Sequence, residues 1–162
     1  MLDQHTGWAE HSQGGWVTAI LSLSITSKSG WRKEKMSEHE LYKLIAQYLQ
    51  RQYPNVVYRF DLAADMKLTP GQARRHKALH PNRGYPDLFI AKVRERLYGG
   101  LFIELKKEGT KLKKKSGDWA SPHIREQAMV IRKLRECGYR AEFACGFEEA
   151  KKLIDAYLGD KR

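Results

Sequence analysis

The stretch GYPDLFIAKVRERLYGGLFIELKK, Gly84 to Lys107, decides how this chain folds. Two apolar runs, Leu88–Ala91 and Leu101–Leu105, flank the polar segment VRERLYG, which is the pattern of two strands joined as a hairpin. Asp87 heads the first run, held next to Pro86. A carboxylate entering a core is costly unless something pairs with it. A turn centred near residue 95 or 96 sets Asp87 opposite Glu104 in an antiparallel ladder. Lys106 and Phe102 then share the face of Glu104, and Leu101, Ile103 and Leu105 point to the other.

Two carboxylates side by side repel, and one is forced to keep its proton. A divalent cation removes the conflict. Hard oxygen ligands at this spacing suit Mg²⁺ or Mn²⁺, which retain waters and bridge to phosphate. Lys106 would then hold or help deprotonate a water, or neutralise charge on phosphate. Taken alone, these residues also fit a plain salt bridge on an exposed sheet face.

Outward from the hairpin the chain reads as alternating helices and strands. SEHELYKLIAQYLQRQY is a helix with Ser37 as cap and Glu40 completing a capping box. Its apolar face is Leu41, Leu44, Ile45, Tyr48 and Leu49. NVVYRFDLA reads as a strand, and Pro70–Leu79 as a basic helix. SPHIREQAMVIRKLRECG is punctuated by Ser121 at N-cap, Pro122 at N1 and Gly138 past the end. Gln127 in that helix lies at helical spacing from Ile124, Ile131 and Leu134, so it points inward. YRAEFAC alternates like a strand, and GFEEAKKLIDAYL closes the chain as a helix. The order αβ(α)ββαβα predicts an α/β domain, a mixed β-sheet flanked by helices.

The 162 residues carry a net charge of +11 and a sequence pI near 9.7. That balance points to an anionic partner, nucleic acid first. Residues 1–35 contribute four basic and three acidic groups, so the charge belongs to residues 36–162. Residues 1–35 are rich in Gly, Ser, Thr and Trp without helical period. They are expected to be an N-terminal extension ahead of a natural start at Met36, or a small arm. No apolar run is long enough to span a bilayer, and AILSLSI follows acids rather than a basic segment. Cys137 and Cys145 form no CxxC or zinc pattern and are expected to be buried free thiols.

The basic residues cluster. Lys107, Lys111, Lys113, Lys114 and Lys115 follow the ELK strand, in a segment that Gly109 and Gly117 would let move. Arg74, Arg75, Lys77 and Arg83 precede the PD element. Both runs suit phosphate-backbone contacts, and nothing resembles a base-reading element.

GxPDL, the apolar-Glu-apolar-Lys strand and a Gln early in the next helix resemble the virus-type replication-repair nuclease (VRR-NUC) family of the PD-(D/E)XK superfamily. The resemblance covers roughly residues 36–158 and is nearest to the small standalone phage and prophage forms. It implies a restriction-endonuclease-like fold and an Mg²⁺-dependent DNA endonuclease, with Mn²⁺ able to substitute. Branched or duplex DNA would be the partner, a homodimer would match two-fold junctions, and the setting would be the cytoplasm of a bacterial host. By position, Asp87, Glu104 and the Leu105 carbonyl would be metal ligands. Lys106 would assist the nucleophilic water, and Gln127 would shape the site. A first-helix glutamate would complete it, Glu38 or Glu40. Glu38 is preferred because it shares a face with Leu41 and Ile45, while Glu40 has its capping role. The competing expectation is a non-catalytic basic nucleic-acid-binding module, which would need the basic residues but not the carboxylates.

Overall fold

A computed structural model describes residues 36–61, 68–79, 83–94 and 97–159. The expectations for residues 1–35 lie outside them. The elements are α1 (Glu38–Gln52), β1 (Tyr58–Phe60), α2 (Pro70–Leu79), β2 (Leu88–Ile90), β3 (Leu101–Lys106), α3 (Pro122–Glu136), β4 (Arg140–Cys145) and α4 (Phe147–Leu158). This is the predicted order, in a mixed α/β arrangement consistent with a restriction-endonuclease-like fold.

The sheet runs β1-β2-β3-β4. β1, β2 and β3 are antiparallel neighbours, and β4 lies parallel to β3. A parallel pair needs a crossover, which α3 supplies. Leu88 pairs with Ile103 and Phe89 with Phe102, so the ladder continued by one residue sets Asp87 opposite Glu104, as the hairpin reading expected.

The alternation along β3 divides the core in two. Leu101, Ile103 and Leu105 pack with Leu88 and Ile90 against Leu41, Ile45 and Leu49 of α1 and Ile154 and Tyr157 of α4. Each fully buried Leu or Ile there contributes roughly 1.5–3 kcal/mol relative to exposure. On the opposite face Phe102, Ala141 and Ile131 of α3 are buried, with Phe89, Leu134, Tyr139 and Phe143 packed around them. Tyr48 and Tyr53 of α1 both donate to Asp155 of α4, which also accepts from Lys151. That junction fixes α4 to α1.

The helix ends follow the sequence signals. Ser37 and Glu40 form the capping box. Ser121 accepts from the Ile124 amide at 3.2 Å, with Pro122 in the first turn of α3. Two expectations are corrected. Neither cysteine is buried: Cys137 is exposed at the C-cap of α3, and Cys145, the last residue of β4, is partly exposed. The segment expected to move is a pinned hairpin. Lys113 bridges Trp119, the Lys114 amide donates to the Asp118 carbonyl at 2.8 Å, and the Ala120 amide donates to Leu112 at 2.9 Å. Lys113 also lies over the Trp119 ring at 5.1 Å.

Candidate active site

The carboxylates sit where β2 begins and β3 ends. Asp87 is held by the backbone: its Oδ2 accepts the Leu105 amide at 2.7 Å, and the Asp61 amide donates to its carbonyl at 2.8 Å. The Tyr42 hydroxyl of α1 also hydrogen-bonds the Asp87 carboxylate. Peptide groups of successive strand residues face alternate edges. The Lys106 carbonyl accepts from Gly146 at 2.8 Å on the β4 side, so the Leu105 carbonyl faces the β2 side, beside Asp87.

Glu104 is 1% exposed on a central strand. Lys106 Nζ donates to its Oε1 at 2.7 Å, and Gln127 Nε2 reaches the same oxygen at 2.5 Å. Gln127, 5% exposed, is thus turned inward from α3 onto the acid. Glu104 Oε2 and Gln127 Oε1 are buried with no hydrogen-bond partner. A buried oxygen left unpaired costs about 1–3 kcal/mol, more if charged.

The electrostatics record the same tension. Burial, and then the Asp87 charge, push the Glu104 carboxyl up to about 8, against the pull of Lys106. Burial also raises Asp87, opposed by the Leu105 amide, Lys106 and Tyr42. Two acids in this state hold a proton between them at neutral pH, and a hard divalent cation would replace it. The donor chemistry therefore fits Mg²⁺ or Mn²⁺: two carboxylates, an orphaned carboxylate oxygen and a backbone carbonyl on one edge. Among the described residues no group of three His, Cys, Asp or Glu side chains comes together to hold a metal.

Gly84 sets how closely α3 approaches. Its φ of 78° lies in the left-handed region, and a Cβ there would stand 3.0 Å from the Gln127 Cα and amide nitrogen. The glycine of GYPD thus both turns the chain and lets the helix bearing Gln127 pack against the strand bearing Asp87.

The other sequence-predicted residues spread more widely. Glu38 is partly exposed in the first turn of α1, and Glu40 caps Ser37 at 2.8 Å. The α1 residue that touches the pair is Tyr42, one turn beyond Glu38, which the sequence reading did not select. Its signal was the helical spacing from Glu38. Arg74, Arg75, Lys77, Arg83, Lys107, Lys111, Lys113, Lys114 and Lys115 are all exposed. No helix among the described residues is long and apolar enough to cross a membrane.

No family model matches the chain, and no curated protein matches it. Among solved structures it is similar to a "VRR_NUC domain protein", at 28% identity and a TM-score of 0.54, over 78% of this chain and 91% of that one.

Proposed function

Taking the chain, by fold and by motif, as one of the VRR-NUC family, we propose that it is a metal-dependent DNA endonuclease of the PD-(D/E)XK type that hydrolyses phosphodiester bonds. The observation that carries this reading is the buried Glu104 carboxylate, with one oxygen unpaired and Asp87 opposite it in the ladder.

Asp87, Glu104 and the Leu105 carbonyl would hold Mg²⁺ or Mn²⁺, with Glu38 the candidate further ligand. A bound Mg²⁺ would polarise the phosphoryl oxygen and make a bound water more acidic. The chain's own residues do the rest. Lys106 Nζ, already beside Glu104, orients the attacking water and offsets charge that develops on the phosphate. The water attacks phosphorus in line with the leaving oxygen. Gln127 fixes the Glu104 carboxyl through Oε1 and leaves Oε2 for the cation. Tyr42 and the Leu105 amide fix Asp87 in the same way.

The exposed basic residues of α2 and of the Lys111–Ala120 hairpin would track the phosphate backbone. With no base-reading element, the preferred substrate is defined by shape: branched or junction DNA, bound by a homodimer, in the replication, repair or recombination of a phage or prophage within its bacterial host. The test is a panel of labelled junction, flap, duplex and single-stranded DNAs, incubated with Mg²⁺ or with EDTA. Mg²⁺-dependent cleavage that Asp87→Ala abolishes, in a variant that still folds, is expected. DNA binding without cleavage of any substrate in Mg²⁺ or Mn²⁺ would overturn the reading in favour of a non-catalytic binding module.

A further inference from the structure

On the face that carries the carboxylates, Ile131 and Leu134 of α3 pack against Phe102 of β3 and Ala141 and Phe143 of β4. Farther along the same face the cross-strand partners Arg59 and Phe89 continue the row from Phe102. There a cleft of about 350 Å³ opens, lined by Arg59, Asp61, Tyr85, Pro86 and Phe89. Its volume falls in the range of small-ligand clefts. It borders the candidate active site through the chain itself, since Pro86 precedes Asp87 and the Asp61 amide bonds the Asp87 carbonyl.

Tyr85 stands out in this cleft. It is 47% exposed although the neighbouring Pro86 is fully buried. Its ring meets Phe102 edge-on at 5.6 Å, and Phe102 in turn stacks on Phe89 at 4.4 Å. The ring is therefore braced on one side and open on the other. Nothing in the cleavage chemistry above uses it.

We propose that this cleft takes one unpaired DNA base next to the phosphate that is cut, stacked on Tyr85, with Arg59 against a neighbouring phosphate. The proposal rests on the nuclease reading for the position of the cut. The lining selects the base over the backbone, because the Asp61 carboxylate repels a phosphate while an aromatic ring accepts the face of any base. Arg59, exposed at the rim, supplies the matching cation for the backbone outside. A base paired within a duplex cannot present its face to the ring, so the cleft favours DNA with unpaired nucleotides at the cut.

The experiment uses the full chain in EDTA and a flap oligonucleotide carrying 2-aminopurine at the first unpaired position, with a blunt duplex of the same length for comparison. Flap binding is expected to quench the 2-aminopurine emission. Tyr85→Ala should weaken flap binding about tenfold and remove the quenching, leaving the blunt duplex within about twofold. Tyr85→Phe keeps the ring and should behave as the parent, which separates stacking from loss of fold. Flap binding and quenching unchanged in Tyr85→Ala would overturn the proposal, as would an equal loss on the blunt duplex or the absence of flap binding by the parent. A parent that binds and quenches the flap but never cuts DNA in Mg²⁺ would sink the nuclease reading and leave the base site standing.

Discussion

Gln127 Nε2 and Lys106 Nζ converge on Glu104 Oε1. Both donors serve one oxygen of a buried carboxylate, and the other oxygen has no partner. The lysine and the glutamine therefore aim the acid as much as they neutralise it.

Removing the lysine should stop the reaction before it stops folding. Lys106 keeps some exposure, and its backbone remains in the β3–β4 ladder. Lys106→Ala is expected to lower the Mg²⁺-dependent cleavage rate by about 10²–10⁴-fold, with the thermal unfolding transition still cooperative. Cleavage within twofold of the parent would remove Lys106 from the site.

The acid pair should make metal-free stability fall as pH rises. Glu104 is raised from 4.5 to about 8 in the folded protein, chiefly by burial. Between those values the folded chain keeps a proton that the unfolded chain has released, so stability is greatest below about 4.5 and is lost as pH climbs toward 8. Asp87 is shifted in the same direction. In EDTA, urea midpoints should decline across this window for the parent and decline less for Glu104→Gln. Saturating Mg²⁺ should flatten the parent's decline. Parallel curves for parent and variant would show that Glu104 does not carry the dependence.

Gly84→Ala tests the approach of α3. The new methyl meets the backbone of Gln127 at 3.0 Å, at a φ of 78°. Strain of this kind costs on the order of 1–3 kcal/mol, measurable by urea unfolding. Cleavage should also fall, because the shift displaces Gln127 from Glu104. Unchanged stability would mean that the helix yields without cost.

The hairpin lysines should set the salt dependence of binding. Replacing Lys113, Lys114 and Lys115 by alanine should lower the slope of log K against log salt by roughly 0.9 for each duplex phosphate that a lysine had neutralised. The thermal midpoint should scarcely move, since all three side chains are exposed. An unchanged slope would place the DNA elsewhere.

Much of this arrangement was legible in the chain because it rests on short periods. The alternation LFIELK sorts β3 into two faces, and the length of VRERLYG sets the register that puts Asp87 opposite Glu104. Gln127 was legible as an inward residue from its spacing with Ile124 and Ile131. Tyr42 was not, because helical spacing gives the side of a helix but not which hydroxyl reaches an acid from another element. Cys137 looked internal only while it was counted as part of a regular segment. At the C-cap it has left the apolar face. The Lys111–Ala120 hairpin escaped for another reason: its ladder is built from backbone groups, and its lysines hide the alternation that marks a strand pair.

That hairpin has a consequence for association. A free lysine loop must lose backbone entropy when it settles on DNA, at about 1–2 kcal/mol per residue. Here the Leu112–Ala120 and Lys114–Asp118 bonds and the Lys113–Trp119 stack already hold the backbone. Folding has met that cost in advance, so binding has only side-chain tips left to immobilise. The lysines thus act as a preorganised comb, whose spacing is fixed before any phosphate arrives.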